Sequence, residues 1–436
     1  MRTREVLAEL AARRPYAELL AEARVDLDEL PAPGEPGTTP PYDGDLTLSG
    51  RYVAYALNQE SFRFLLDPML AHGSERISAM GYGNAINALS DTEGGMAKYF
   101  SQRFAQVTNP PLDSIREADG MSLRVALGPR PDGTRHTGGR HTAGRQIVVP
   151  SPVLGPLDLA RLREQRIVPL KTFDLLYEPV PGDATANADA LRAALGRLCD
   201  GVERFAADSG GIALLTDLAI SSTRAPLPVI LAVAAVNQRL IETGLRPRLS
   251  IVAESGQLPS SHHVATALGF GASAVLSLSA WLRAAEKHPG AATDPDGTTE
   301  AGRALARFRK AAEKSLAKTM GRVGLCTAES YIGGEFFEPN YLDTRDDDLA
   351  RIFPHLRAPV GGVGFTRIAQ AATDWHQRAL TVRAEQQIPL LGLFKERSDG
   401  AGHSFGVNSV RGFGGMTAER PGFGRDDDSD ALRLLS

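Results

Sequence analysis

The chain has 436 residues and 42% hydrophobic residues, enough to bury a large core over most of its length. A formal net charge of −4 gives no electrostatic reason to expect nucleic acid or an anionic membrane as a partner. No apolar run approaches the ~18 residues of a membrane span, and the two cysteines, Cys199 and Cys326, cannot form a disulfide framework. The opening residues alternate charged and apolar side chains at helical spacing, unlike a signal peptide, so the expectation is a soluble cytoplasmic protein.

In chain order, residues 2–24 read as an amphipathic helix, and PAPGEPGTTPPYDGD (31–45) as a linker that its prolines and glycines keep out of helix and sheet. Helical zones are expected over about 58–72 and 93–107, the second stopping before Asn109-Pro110-Pro111. The basic, Gly-rich stretch 128–145 has no apolar period and reads as an exposed loop. Strands are expected at Lys171–Tyr177, Ile212–Thr216, Leu249–Ala253 and Ala274–Leu278, with a short fifth near Cys326. Between and after them come helices at 187–208, 226–243, 260–268, 279–287 and about 299–321.

Short apolar strands alternating with helices predict an α/β fold of parallel β/α units, because parallel strands need crossover connections. Five such units make either an incomplete (β/α) barrel or a doubly wound sheet, and periodicity does not choose between them. Beyond about residue 390 the pattern fades into glycine-rich sequence and an acidic end, RDDDSDALRLLS, expected to be a solvated tail.

The carboxyl ends of parallel strands form the binding face in such folds. That rule selects Asp217, then Glu254 and Ser255, then Ser277, then Glu329 and Ser330, with His262 and His263 opening the helix after the third strand. Carboxylates, imidazoles and hydroxyls of this kind could converge on a small polar ligand, with Glu254, Asp217 and His263 as acid/base groups. Each also has a structural reading: Glu254 as a cap for the following helix, the histidines as packed or surface residues. Adjacent histidines point about 100° apart on a helix and do not form the usual i, i+4 metal pair. Gly361–Gly364 and Gly412–Gly415 read as turns rather than phosphate cradles, and Cys326, in VGLCTAES, as inert packing.

Taken together, these segments resemble glutamate synthase, specifically its central domain. The match begins with LAARRPYAELLAEARVDLDELPAP (10–33) and continues through ESFRFLLDPMLAHGSERISAMG and NALSD to YFSQRFAQVTNPPLDSIRE (99–117), its most specific piece. SPVL (151–154), KTFDLLY, the ESG…HH segment, LGFGASAV and ESYIGGEFFE follow in order, and GGVGF (361–365) resembles the connector into the family's flavin domain. The resemblance implies an N-terminal helix and linker over 1–45, a central-like domain over 46–340 and a connector with its tail over 341–436.

It also implies which functions lie elsewhere. The family's amidotransferase nucleophile is an N-terminal cysteine, whereas Arg2 follows Met1 here, and its FMN domain carries the phosphate loop and three cluster cysteines. The expectation is therefore that this chain holds no FMN, iron–sulfur cluster or metal. It would act in nitrogen metabolism as a non-catalytic scaffold or subunit with separate amidotransferase or FMN-dependent synthase-like partners, and it could self-associate. The alternative is a stand-alone enzyme of specialised metabolism acting on an amino-acid- or keto-acid-like substrate. Departures from the family pattern favour a changed face: MGYGNAINALSD (80–91), Leu276-Ser277, and Glu329-Ser330-Tyr331-Ile332-Gly333, which lacks an arginine.

Overall fold

The computed structural model describes residues 16–31, 39–75, 95–103, 119–131, 144–290 and 299–383, with a few isolated positions besides. The chain divides into two units, Met1–Pro389 and Leu390–Ser436. Only the first falls within the described residues, so the expected glycine-rich and acidic tail lies outside them, as do residues 32–38 of the linker and 132–143 of the loop.

Four strands, β1 (Leu170–Asp174), β2 (Gly211–Thr216), β3 (Leu249–Ser255) and β4 (Ala274–Ser277), form one sheet in the order β4-β3-β2-β1, every pair parallel. Spatial order follows chain order without reversal. A doubly wound sheet must reverse at a switch point, whereas a run of β/α units in one direction is a sector of a barrel. This settles the choice left open by periodicity in favour of an incomplete β/α barrel-like arrangement. The crossovers are α1 (Ala184–Asp208), α2 (Val229–Glu242) and α3 (Ser261–Gly269), and α4 (Leu278–Lys287) follows β4. Helix α1 packs on α2, and α2 on α3.

The sequences explain the burial. GIALLT and LSIVAES are near-continuous apolar runs, and every residue of β2 and β3 is buried, as a sheet covered on both faces demands. β1 is the half-exposed edge strand, and its Lys171 is the kind of charge that discourages edge-to-edge pairing. Beyond β4 the SPVL segment adds a single parallel bridge, Val153 to Val275.

Helix α5 (Glu300–Arg322) packs on α3 and α4, and α6 (Phe365–Thr381), which Gly364 opens, packs on α1. Gly361 and Gly362 precede α6 without following a regular strand, Val363 making only a bridge to Leu342, as the turn reading expects.

The expected 2–24 helix holds over its described stretch Tyr16–Ala23, and from Arg24 the chain pairs as a strand, Arg24–Asp26 with Gln146–Val149. Two expectations fail, each for a tertiary reason. The described part of the 93–107 zone is a 3-10 turn (Met96–Tyr99) and a strand (Phe100–Gln102) antiparallel to Phe337–Pro339. Phe100 is fully buried against Phe270 and Phe353, with ring centroids 4.7 and 5.5 Å away, and that packing overrides local helix propensity.

The fifth strand is also not formed. After α5 the chain turns at Gly324 (φ +78), Thr327 caps a short helix, Ala328–Tyr331, and only the single bridge Ser122–Thr327 remains. Cys326 in this turn is exposed rather than packed, while Cys199 on α1 is buried.

Candidate functional site

The carboxyl ends of β2, β3 and β4 carry the predicted groups, but their side chains are divided among separate local networks. Asp217 is fully buried. Its carboxylate accepts from Ser255 Oγ, from the Gly256 backbone N–H at 3.0 Å and from Gln257 Nε2 at 3.2 Å. Gln257 Nε2 also donates to the Leu227 carbonyl at 2.8 Å, and Tyr55 Oη donates to the Asp217 carbonyl at 3.3 Å. The carboxylate thus latches the turn after β3 to the end of β2. Burial outweighs these donors and lifts the Asp217 pKa to about 7. Gly256 is required here by close approach: a Cβ would lie 2.2 Å from the Tyr55 ring.

Successive side chains of a strand project to opposite faces, so Glu254 points away from Ser255 and Asp217. Its carboxylate meets the Arg163 guanidinium at 2.8 Å, the acid fully buried and the arginine about one-third exposed. Burial raises the Glu254 pKa above the usual carboxylate range, against the pull of Arg163 and a Thr216 hydroxyl. The expected helix-cap role for Glu254 is therefore wrong, because the side chain is engaged by a helix (Pro156–Glu164) about 90 residues upstream.

His263 Nδ1 pairs with Ser260 Oγ at 2.7 Å, and His262 Nε2 with the Ala97 carbonyl at 2.9 Å. Both rings are buried, and burial lowers their pKa values, His262 to about 4 and His263 well below the ordinary histidine value. These are neutral packing histidines near pH 7. Ser277 caps α4 by accepting from the Ala280 N–H at 3.2 Å and donates to the Leu258 carbonyl at 2.8 Å.

Glu329 and Ser330 lie elsewhere. With no fifth strand to carry them to the carboxyl ends, they line a cleft of about 860 Å³ at the amino-terminal ends of the sheet, beside Leu249 and Ser250 at the start of β3 and Ser273 before β4. Glu329 accepts from the Ala126 N–H at 3.0 Å and lies 3.8 Å from Arg24, while the Ser330 hydroxyl pairs with Thr327 Oγ1 at 2.7 Å. The eight predicted residues accordingly do not converge. Among the described residues, no group of three or more His, Cys, Asp or Glu could hold a metal ion.

The partners that sequence reading missed are Tyr55, Arg163 and Gln257. Only Gln257 had a local signal, two positions beyond Ser255 in the turn. The others are long-range contacts.

The model of the glutamate synthase central domain family matches residues 50–341. The glutamate synthase (NADPH) large chain of Azospirillum brasilense is 30% identical over 404 residues, 93% of this chain and 26% of that protein. The glutamate synthase (NADH) of Schizosaccharomyces pombe is 30% identical over 417 residues, 92% of this chain and 19% of that protein. The chain thus spans about a quarter or less of the length of these relatives. Among solved structures, the flavin-binding domain of baker's yeast flavocytochrome b2 aligns over 46% of this chain and 40% of that one, at 14% identity and a TM-score of 0.26, too low to bear on fold or function.

Proposed function

Because the chain belongs to the glutamate synthase central domain family, we propose that it works as a non-catalytic scaffold of nitrogen metabolism, joining separate amidotransferase and FMN-dependent synthase-like partners. The observation that carries this reading is the state of the strand-end face. Asp217, Glu254, Ser255, His262, His263 and Ser277 are all buried and engaged with their own chain. A catalytic face needs groups within hydrogen-bond reach of substrate, and these are turned inward to hold turns and packing. Perturbed pKa values at such positions fit burial as well as they fit chemistry.

The reading is tested by size-exclusion chromatography of the full chain mixed with separately purified amidotransferase and FMN-dependent synthase-like proteins of the same organism. Co-elution with at least one is expected. A thermal-shift screen of amino acids and keto acids on wild type and Glu254→Gln runs beside it. Failure to co-elute with either protein, together with a ligand-induced shift that disappears in Glu254→Gln, would sink the scaffold and establish the enzyme instead.

A further inference from the structure

The cleft at the amino-terminal ends of β3 and β4 is lined by four arginines, Arg24, Arg124, Arg130 and Arg246, and by three carboxylates, Asp26, Glu29 and Glu329. Two of the cations are matched within it. Arg124 pairs with Asp26 at 2.6 Å, and Arg24 lies 3.8 Å from Glu329. Among the described residues, Arg130 and Arg246 have no carboxylate partner.

Arg246 is the telling one. Its Nε donates to Asn237 Oδ1 at 2.6 Å, its Nη1 to the Leu249 carbonyl at 2.7 Å and its Nη2 to the Gly271 carbonyl at 2.9 Å. All three acceptors are neutral, and a guanidinium has five donors, so two N–H groups and the whole charge remain to be answered. The Arg130 backbone N–H donates to the carbonyl of Pro247, the neighbour of Arg246, at 2.8 Å, so both arginines line the same cleft. Burial, and then the charge of Arg130, depress the Arg246 pKa to about 10. Two like charges held together without a counter-ion are costly, and a carboxylate or phosphoryl group relieves both at once through charge-assisted, bidentate hydrogen bonds.

We propose that this cleft binds a small anion bearing a carboxylate or phosphoryl group, held between Arg130 and Arg246. Its volume of about 860 Å³ falls in the range of small-molecule sites. The site is at the opposite end of the sheet from the buried strand-end networks, so it does not depend on the scaffold reading. It gives the protein a means of responding to a small metabolite wherever its partners are.

The test is isothermal titration of the full chain with inorganic phosphate and, separately, with citrate, at ionic strength held constant with sodium chloride. Saturable binding of at least one anion is expected. Arg130→Ala, at an exposed position, should weaken it at least tenfold, with Arg130→Gln as a second variant and circular dichroism to check the fold of both. Tighter citrate binding assigns the site to carboxylates, and tighter phosphate binding to phosphoryl groups. Absence of saturable binding above the chloride background overturns the proposal, and so does equal binding by wild type and the Arg130 variants.

Discussion

Arg163→Ala is expected to lower the unfolding free energy by about 3 kcal/mol at pH 7, the low end of what removing one partner of a buried ion pair costs. The cost comes from the partner left behind. Glu254 is fully buried on β3 and faces Arg163 at 2.8 Å, and without the guanidinium its carboxylate must either remain unpaired or take up a proton. The low end applies because Arg163 is about one-third exposed, so water enters as the arginine leaves. The double variant Arg163→Met with Glu254→Leu should recover most of the loss, because it removes both charges and keeps the volume. Urea denaturation reads both. A single variant within ~0.5 kcal/mol of wild type, or a double variant no better than the single, would show that the pair does not secure the β3 end.

That ion pair also marks where sequence stops being informative. GIALLT and LSIVAES declare buried parallel strands because both faces of the sheet select apolar side chains, and the helices between them follow from Leu191, Leu195, Leu198 and Val202 on one face. Strand order was not legible, because β/α periodicity is common to barrels and doubly wound sheets. VGLC before Thr327 is too short an apolar run to separate a strand from a turn, and the Thr-Ala-Glu-Ser capping chemistry won. That single error carried Glu329 and Ser330 to the wrong end of the sheet.

Asp217, Glu254 and Ser255 were correctly placed at strand ends, yet their roles depended on Tyr55 and Arg163, to which nothing in their local sequence points. The physical demand on Gly256 is likewise the distant Tyr55 ring. The cleft arginines gave no pattern at all, because Arg24, Arg124, Arg130 and Arg246 come from segments distant in sequence that line one cleft only in the folded protein. Position along a strand can be read from one sequence. Convergence of side chains from distant segments cannot.

The pH dependence of stability should expose Asp217. Its carboxyl titrates near 3.9 in an unfolded chain and at about 7 in the folded protein, where burial favours the neutral acid. Between those values the native state binds more protons than the unfolded state, so this group's contribution falls as pH rises, and it is flat below the window and above it. The full excursion is as much as about 4 kcal/mol, from ~1.4 kcal/mol per unit of pKa difference. His262 acts in the opposite sense: folded at about 4 and near 6.5 unfolded, it makes stability rise with pH across that interval. The two partly cancel in wild type, so a wild-type curve alone would conceal both. Asp217→Asn separates them, since the variant keeps His262, His263 and Glu254 but cannot titrate at position 217. Its amide also turns an N–H₂ group towards the Ser255, Gly256 and Gln257 donors, which adds a penalty with little pH dependence. The expected result, from denaturation at intervals between pH 4 and 8, is that wild-type stability minus variant stability is largest near pH 4 and declines steadily to about pH 7. A difference that stays level, or grows with pH, would mean that Asp217 is ionised in the folded protein throughout, and that its three donors outweigh its burial.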